Sequence, residues 1–335
     1  MITMKSEHIS REIRNIALNI PVLFLIVVLS LGLYACGGKT NTSIRGISKK
    51  EMDEFHAEKA AKQKFDEQQV NVISDPKQLE THGDRFASQK NFTAALFEYN
   101  RALQLTQPDQ HNRLRTKIAT VNLRNKHFAQ AEQIFAALNK KDPDNAVIWE
   151  GLGFSQFFQG KYVEAEKALR KTVKLDSKRW KSLNALGVIY NNKKKPATAL
   201  QFFNQALKLN PTESSIHNNR GLAFMQKDDL GNAEWSFQRA LSLAPDYDRA
   251  RNNLALLYAR QDRWPEALQF FETGLGKAAA QNNIGCLLAR KGDYLKAGEH
   301  FRKAVEIAPS YYTLAAKHLE LAQEESRKIQ KTPEE

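Results

Sequence analysis

Apolar and polar positions follow a helical rhythm along most of this chain, and one very small residue punctuates it at nearly constant intervals. Gly83, Ala119, Gly153, Gly187, Gly221, Ala255 and Gly285 stand 36, 34, 34, 34, 34 and 30 residues apart. Twelve positions after each comes an alanine: Ala95, Ala131, Ala165, Ala199, Ala233, Ala267 and Ala297. Four further on, one helical turn away on the same face, stand Tyr99, Phe135, Leu169, Phe203, Phe237, Phe271 and Phe301. Small residues in one helix and large knobs in the next predict two closely crossing helices per unit. A period near 34 residues predicts that such units stack. Prolines close several of them: Pro143, Pro211, Pro245 and Pro309 fall in register, with Pro108 one residue late. Proline cannot continue a helix interior but suits the first turn of the next helix.

These positions resemble the tetratricopeptide repeat family. The resemblance is carried by Trp149, Leu152, Gly153, Ala165 and Leu169 in one unit, and by Leu183, Leu186, Gly187, Tyr190, Ala199, Phe203, Ala206 and Pro211 in the next. It implies an all-α fold, a superhelical solenoid of about seven helix-turn-helix repeats over residues 76–309. Residues 310–335 follow as capping helix and tail, with helical rhythm through Leu314, Ala315, His318, Leu319, Leu321 and Ala322. Two departures carry expectations. Ser177 stands where the third unit should have proline, and the sixth unit is four residues short through Thr273, Gly274, Leu275 and Gly276, which predicts a clipped second helix or a tightened turn. One helix pair cannot enclose its own apolar face, so neighbours supply the rest of the core and the terminal unit needs a cap. Gly, Ala and Phe in the period are therefore core residues, and a large side chain at Gly187 or Gly221 is expected to overpack the crossing.

The N-terminus obeys different rules. Lys5, Arg11 and Arg14 precede an apolar stretch from Ile20 to Tyr34, which ends in Leu33-Tyr34-Ala35-Cys36. Charge, apolar core and small-residue site in that order read as a secretory signal over residues 1–35. The final four residues resemble a bacterial lipobox, although Tyr34 is bulky for its place. The resemblance implies cleavage before Cys36, lipidation of that cysteine and, with Gly37 after it, delivery to the periplasmic face of the outer membrane. Several acyl chains, at ~0.8 kcal/mol per buried methylene, hold a protein on a bilayer stably. The competing reading is an uncleaved transmembrane helix, for which the apolar run falls short of the ~20 residues a bilayer needs. Residues 36–75 read as the lipidated cysteine and a linker, small and polar from Gly37 to Ser43. The only other cysteine, Cys286, then has no disulfide partner and is expected to be a buried structural thiol.

Composition is that of a soluble helical body, 42% apolar and 26% charged, with a net charge of +13. A basic surface alone is compatible with nucleic acid, but export argues against it. The charges are dispersed, and the densest run, Lys193-Lys194-Lys195, falls in an inter-helix turn. Such a surface on an exported protein suits acidic headgroups, anionic wall polymers or an acidic partner. Signatures of catalysis are missing. There is no phosphate-binding Gly-rich loop before a Lys-Ser/Thr pair, no Gly-x-Ser-x-Gly elbow, and none of the eight histidines is spaced from another as zinc requires. The expectation is a protein that is not an enzyme, with no cofactor, no metal and no small-molecule substrate.

The family resemblance implies that first helices line a concave surface, with the residues just before each small position facing into it. There the chain carries Asn184, then Asn218 and Asn219, Asn252 and Asn253, Asn282 and Asn283. Asparagine is a poor helix-interior residue, yet its amide offers a donor and an acceptor to an extended peptide. The alternative is that these amides bridge neighbouring first helices without any ligand. Asn191, Asn192, Gln226, Arg260 and Arg290, one turn after the small positions, extend the candidate polar face. Phe154, Phe157 and Phe158 form a candidate apolar patch, at least one of them explained by core packing.

Arg251-Asn252-Asn253-Leu254-Ala255-Leu256 and Ala280-Gln281-Asn282-Asn283-Ile284-Gly285, with the short unit between them, also resemble the TadD family of tetratricopeptide lipoproteins in tight-adherence (Flp) pilus assembly. This implies a periplasmic scaffold that binds pilus or secretin components. A type IV pilotin-like lipoprotein and an adaptor for cell-wall hydrolases are the alternatives. Lipidation has a direct test: Cys36→Ser is expected to leave the membrane fraction for the soluble periplasm or to remain uncleaved, whereas a processed variant that still sediments with membranes would contradict it.

Overall fold

The computed structural model describes residues 75–308 and 313–331. The signal sequence, Cys36, most of the linker, Pro309, Tyr311 and the last four residues lie outside the described residues. Two compact units part between Ile189 and Tyr190.

The described part of the N-terminal unit contains α1 (Pro76–Ser88), α2 (Phe92–Leu105), a 3-10 turn (Pro108–Gln110), α3 (His111–Arg124), α4 (Phe128–Lys141), α5 (Ala146–Phe158) and α6 (Tyr162–Leu175). The next helix, α7 (Trp180–Asn192), begins in this unit. The C-terminal unit holds α8 (Pro196–Leu209), α9 (Ser214–Gln226), α10 (Leu230–Leu243), α11 (Asp248–Arg260), α12 (Trp264–Leu275), α13 (Lys277–Arg290), α14 (Tyr294–Ile307) and α15 (Thr313–Lys331). The fold is all-α, with the repeat architecture the period predicts. Within each unit, consecutive helices pack pairwise, and α3 touches α5 as α9 touches α11, so first helices of neighbouring repeats also meet.

The periodic residues occupy the core. All seven alanines of the second helices are fully buried, and none of the seven knobs is more than 2% exposed. A Cβ on Gly221 would lie 2.6 Å from the Phe237 ring, and one on Gly285 equally close to Phe301. The second repeat solves the same problem differently. Its small residue is Ala119, and the Phe135 ring lies over Gly151 of the following first helix, where a Cβ would come within 2.2 Å.

One backbone device joins the two helices of every repeat. Lys90, Lys126, Gly160, Lys194, Asp228, Asp262 and Gly292, each seven residues past its small position, have positive φ. The next N–H then reaches back to the first helix: Asn91 to Phe86 O, Lys161 to Gln156 O and Asp293 to Leu288 O, each at 2.9–3.0 Å. This left-handed C-terminal closure satisfies carbonyls the helix end leaves open. Where Ser177 replaces proline, the Asp176 carboxylate takes over, accepting Lys178 N at 3.0 Å and Arg179 Nε at 2.8 Å. The short sixth unit has a second helix of 12 residues against 14 in α10, and Gly276 at φ 83° alone separates α12 from α13. At the C-terminus, α15 lies on α14 and α13, with Ala315 and Ala322 buried and the His318 ring 5.2 Å from that of Phe301.

Replacing Gly221 by leucine is expected to lower stability by about 1–3 kcal/mol or more, read as a drop in the urea midpoint. Gly231→Ala, where an added Cβ meets nothing within 4 Å, should stay within about 0.5 kcal/mol of the parent. Equal effects of the two would contradict the crossing as the tight point.

Candidate functional site

Adjacent residues on a helix diverge by about 100°, and this divides the asparagine pairs of the C-terminal unit. Asn218 and Asn253 are each 3% exposed, and Asn253 Nδ2 donates to Asn218 Oδ1 at 2.8 Å, joining α9 to α11. Asn218 Nδ2 in turn donates to Asn219 Oδ1 at 3.3 Å. Asn282, also buried, accepts from His318 Nδ1 at 3.2 Å, which ties α13 to the capping helix. Asn219, Asn252 and Asn283 are half-buried, and the Asn252 Oδ1 has no donor. Asn184, half-buried on α7, belongs to the N-terminal unit. Thus each pair supplies one amide to hold neighbouring helices in register and one that stands nearer the surface.

The residues one turn later behave differently from one another. Arg260 Nη1 donates to Met225 O at 2.8 Å, and its Nη2 meets Asp228 Oδ1 at 2.7 Å, so it closes the end of the preceding first helix. Lys291 repeats this toward Asp262. Gln226 and Arg290 are exposed, Asn192 is half-buried, and Asn191 is buried with its Oδ1 unpartnered.

A periodic contact with no single residue type behind it lies four positions before the small residue. Trp149 Nε1, His217 Nε2 and Arg251 Nη2 donate to the carbonyls of Pro143, Pro211 and Pro245, at 2.7, 2.9 and 2.6 Å. Each reaches back six residues and pins the loop that enters the repeat. Only the proline register hints at it in the sequence.

In the N-terminal unit, Phe158 is 54% exposed and stacks on Phe128 at 5.1 Å, with Phe154 and Phe157 against its other sides. Phe154 and Phe157 are half-buried, so the patch has one projecting ring. A cleft of about 380 Å³ in the same unit is lined by Leu103, Ile118, Ile134 and Leu138, with Arg115 and Lys141 at its edge.

Cys286 has a neighbour the sequence did not suggest, His318 of α15, with Sγ and Nδ1 3.6 Å apart. Burial pushes the thiol up to about 12 and holds the His318 imidazole below its usual range. The Nδ1 that faces the sulfur is the one that donates to Asn282, so it cannot also take a thiol proton. Nucleophilic cysteines need the opposite shift. No group of three or more His, Cys, Asp or Glu side chains suited to a metal occurs among the described residues. No described helix is long and apolar enough to cross a membrane.

Sequence profiles of the tetratricopeptide repeat match residues 122–187, 180–213, 218–282 and 278–311. The chain belongs to the tetratricopeptide repeat family. No curated protein matches the sequence significantly. Among solved structures, a tetratricopeptide repeat protein of Parabacteroides merdae is similar at 15% identity, covering 74% of this chain and 98% of that one, with a TM-score of 0.54. PilF of Pseudomonas aeruginosa is similar at 19% identity over 64% of this chain and 98% of its own, with a TM-score of 0.50. The APC/C hetero-tetramer Cut9–Hcn1 is similar at 17% identity over 73% and 55%, with a TM-score of 0.51. At these identities the likeness is one of fold. Scaffolds of this family are typically non-catalytic.

Because Asn253 and Asn218 satisfy each other in a buried place, removing either strands its partner, and Asn253→Ala or Asn218→Ala should each cost about 1–3 kcal/mol. The double variant should cost clearly less than the two losses added together. Additive losses in thermal or urea unfolding would show that the bond does not couple the helices.

Proposed function

We propose that this chain is a lipid-anchored scaffold on the periplasmic face of the outer membrane, which holds a protein partner along the first helices of its C-terminal unit during pilus assembly. Tetratricopeptide repeat proteins bind peptide or protein partners. The observation that carries the binding face is a half-buried amide on each of three successive first helices, Asn219 and Asn283 two residues before their small positions and Asn252 three before Ala255, where the in-register Asn253 is buried instead. The Asn218–Asn253 bond fixes the register of two of these helices. Packed helices lie roughly 8–10 Å apart, which is about three residues of extended chain at ~3.3 Å each. One amide per repeat therefore matches every third peptide unit of a strand laid across the helices, a primary amide being able to donate to or accept from a peptide group. Arg290 on α13 is assigned to the same face, while the buried Asn218, Asn253 and Asn282 support it from beneath and Arg260 ties α11 to the end of α9.

The anchor rests on Cys36 and the residues before it, and the pathway on the likeness of residues 251–256 and 280–285 to TadD of the tight-adherence (Flp) system. The fold shared with PilF, a pilus-related tetratricopeptide protein, is consistent with a secretin or another pilus component as the partner. Cross-linking and co-purification of the full chain from membranes tests both parts. Recovery of a secretin or pilus component is expected, and replacing Asn219, Asn252 and Asn283 together by alanine should reduce it roughly tenfold or more in a protein that still unfolds cooperatively. Recovery of murein hydrolases alone would transfer the scaffold to the cell wall, and undiminished recovery by the triple variant would remove the amides from the binding face.

A further inference from the structure

Five of the seven repeats place an aliphatic side chain directly before the small position: Ile118, Leu152, Leu186, Leu254 and Ile284, none more than 8% exposed. In α9 this core register position is Arg220. Its guanidinium lies 4.9 Å from the centre of the Trp235 ring and 6.0 Å from that of Phe224, and its Nε donates to Ser236 Oγ at 3.3 Å. Ser236 is buried and gives its own proton to Asn232 O. One turn along α10 from Trp235, the exposed Arg239 reaches only Ser242 Oγ, at 3.4 Å. Neither arginine has a carboxylate partner among the described residues.

Beside them, His217 donates through Nε2 to Pro211 O, which leaves Nδ1 as a buried lone pair with no donor. The ring stands 6.2 Å from Trp235. Burial first, and then the charges of Arg220 and Arg239, hold this imidazole below its usual range. The positive potential on this flank is thus uncompensated. An unpaired cation drawn out of water is costly, and the aliphatic residue used by five of the other six repeats would avoid that cost.

We propose that Arg220, Arg239 and Trp235 form a second binding site, which takes the carboxylates of an acidic peptide segment on a protein partner. The site lies where α9 faces α10, whereas Asn218 faces α11, so it goes beyond the asparagine face and does not rest on it. A guanidinium seated over an aromatic ring, with its Nε on Ser236, keeps its terminal N–H groups for pairing with a carboxylate. Trp235, 55% exposed, offers its ring to an apolar side chain next to the acid, the combination that dominates protein interfaces.

The test uses the full chain and two fluorescein-labelled peptides, Gly-Glu-Leu-Glu-Leu-Glu-Gly and its glutamine counterpart, read by anisotropy. The acidic peptide should bind about tenfold or more tightly than the glutamine one. Arg220→Leu should abolish that preference and raise the melting temperature by a few degrees, because it restores the register residue. Arg239→Gln should weaken the acidic peptide a few-fold at unchanged melting temperature, which keeps the test valid should Arg220→Leu fail to fold. The triple alanine variant at Asn219, Asn252 and Asn283 should bind the acidic peptide like the parent, so failure here and failure of the asparagine face are told apart. Equal binding of the two peptides, or an Arg220→Leu protein that melts lower and binds unchanged, would overturn the site. Binding of anionic phosphatidylglycerol vesicles in place of the peptide, lost in the same variants, would overturn it in favour of a lipid surface.

Discussion

The close crossing of a first helix over the ring of its second helix is the constraint on which the rest depends. A glycine at the crossing lets the backbone approach until an aromatic side chain fills the space a Cβ would need, and the alanine one turn before the ring admits that approach from the other side. The second repeat shows a neighbouring helix supplying the space. With Ala119 at the crossing, the Phe135 ring finds its glycine at Gly151 on the following helix. In the sixth repeat Ala255 stands against Phe271 with no such glycine, and both are still buried. Neighbouring crossings share their buried residues, one cluster running from Met225 through Phe237, Phe271 and Phe301 to Ala322, so the core grows by stacking.

That requirement explains what was legible in the sequence. The crossing demands the same two residue classes at every repeat, so the period, the buried alanines and knobs, and the clipped α12 could all be read directly. The closure between the helices could not. It is made by backbone N–H groups, and the residue at its centre points to solvent, so lysine and aspartate occupy positions that only Gly160 and Gly292 betray as left-handed. The reach-back to the proline carbonyl escaped notice for a similar reason, since indole, imidazole and guanidinium all perform it.

The candidate site was legible as a set of residues and illegible as an arrangement. Six asparagines in three adjacent pairs announce a polar face, but which member of a pair meets a neighbour is decided by the helix rotation between them and by partners more than thirty residues away. Asn253 finds Asn218, and Asn282 finds His318, while Asn252 keeps an unused oxygen. Arg260, which looks like a binding residue by position, is spent on Met225 and Asp228. Arg220 is the converse case: it hides inside a core register, and only the missing carboxylate marks it. In α9 the two proposals meet, with Asn218 toward α11 and Arg220 toward α10.

Hydrogen exchange on the full chain, with and without the partner captured from membranes, tests the central claim most directly. The account predicts slowed exchange in α9, α11 and α13 when the partner is bound, on top of a core already protected at the helix crossings. A bound partner that leaves these three helices exchanging as in the free protein would contradict it.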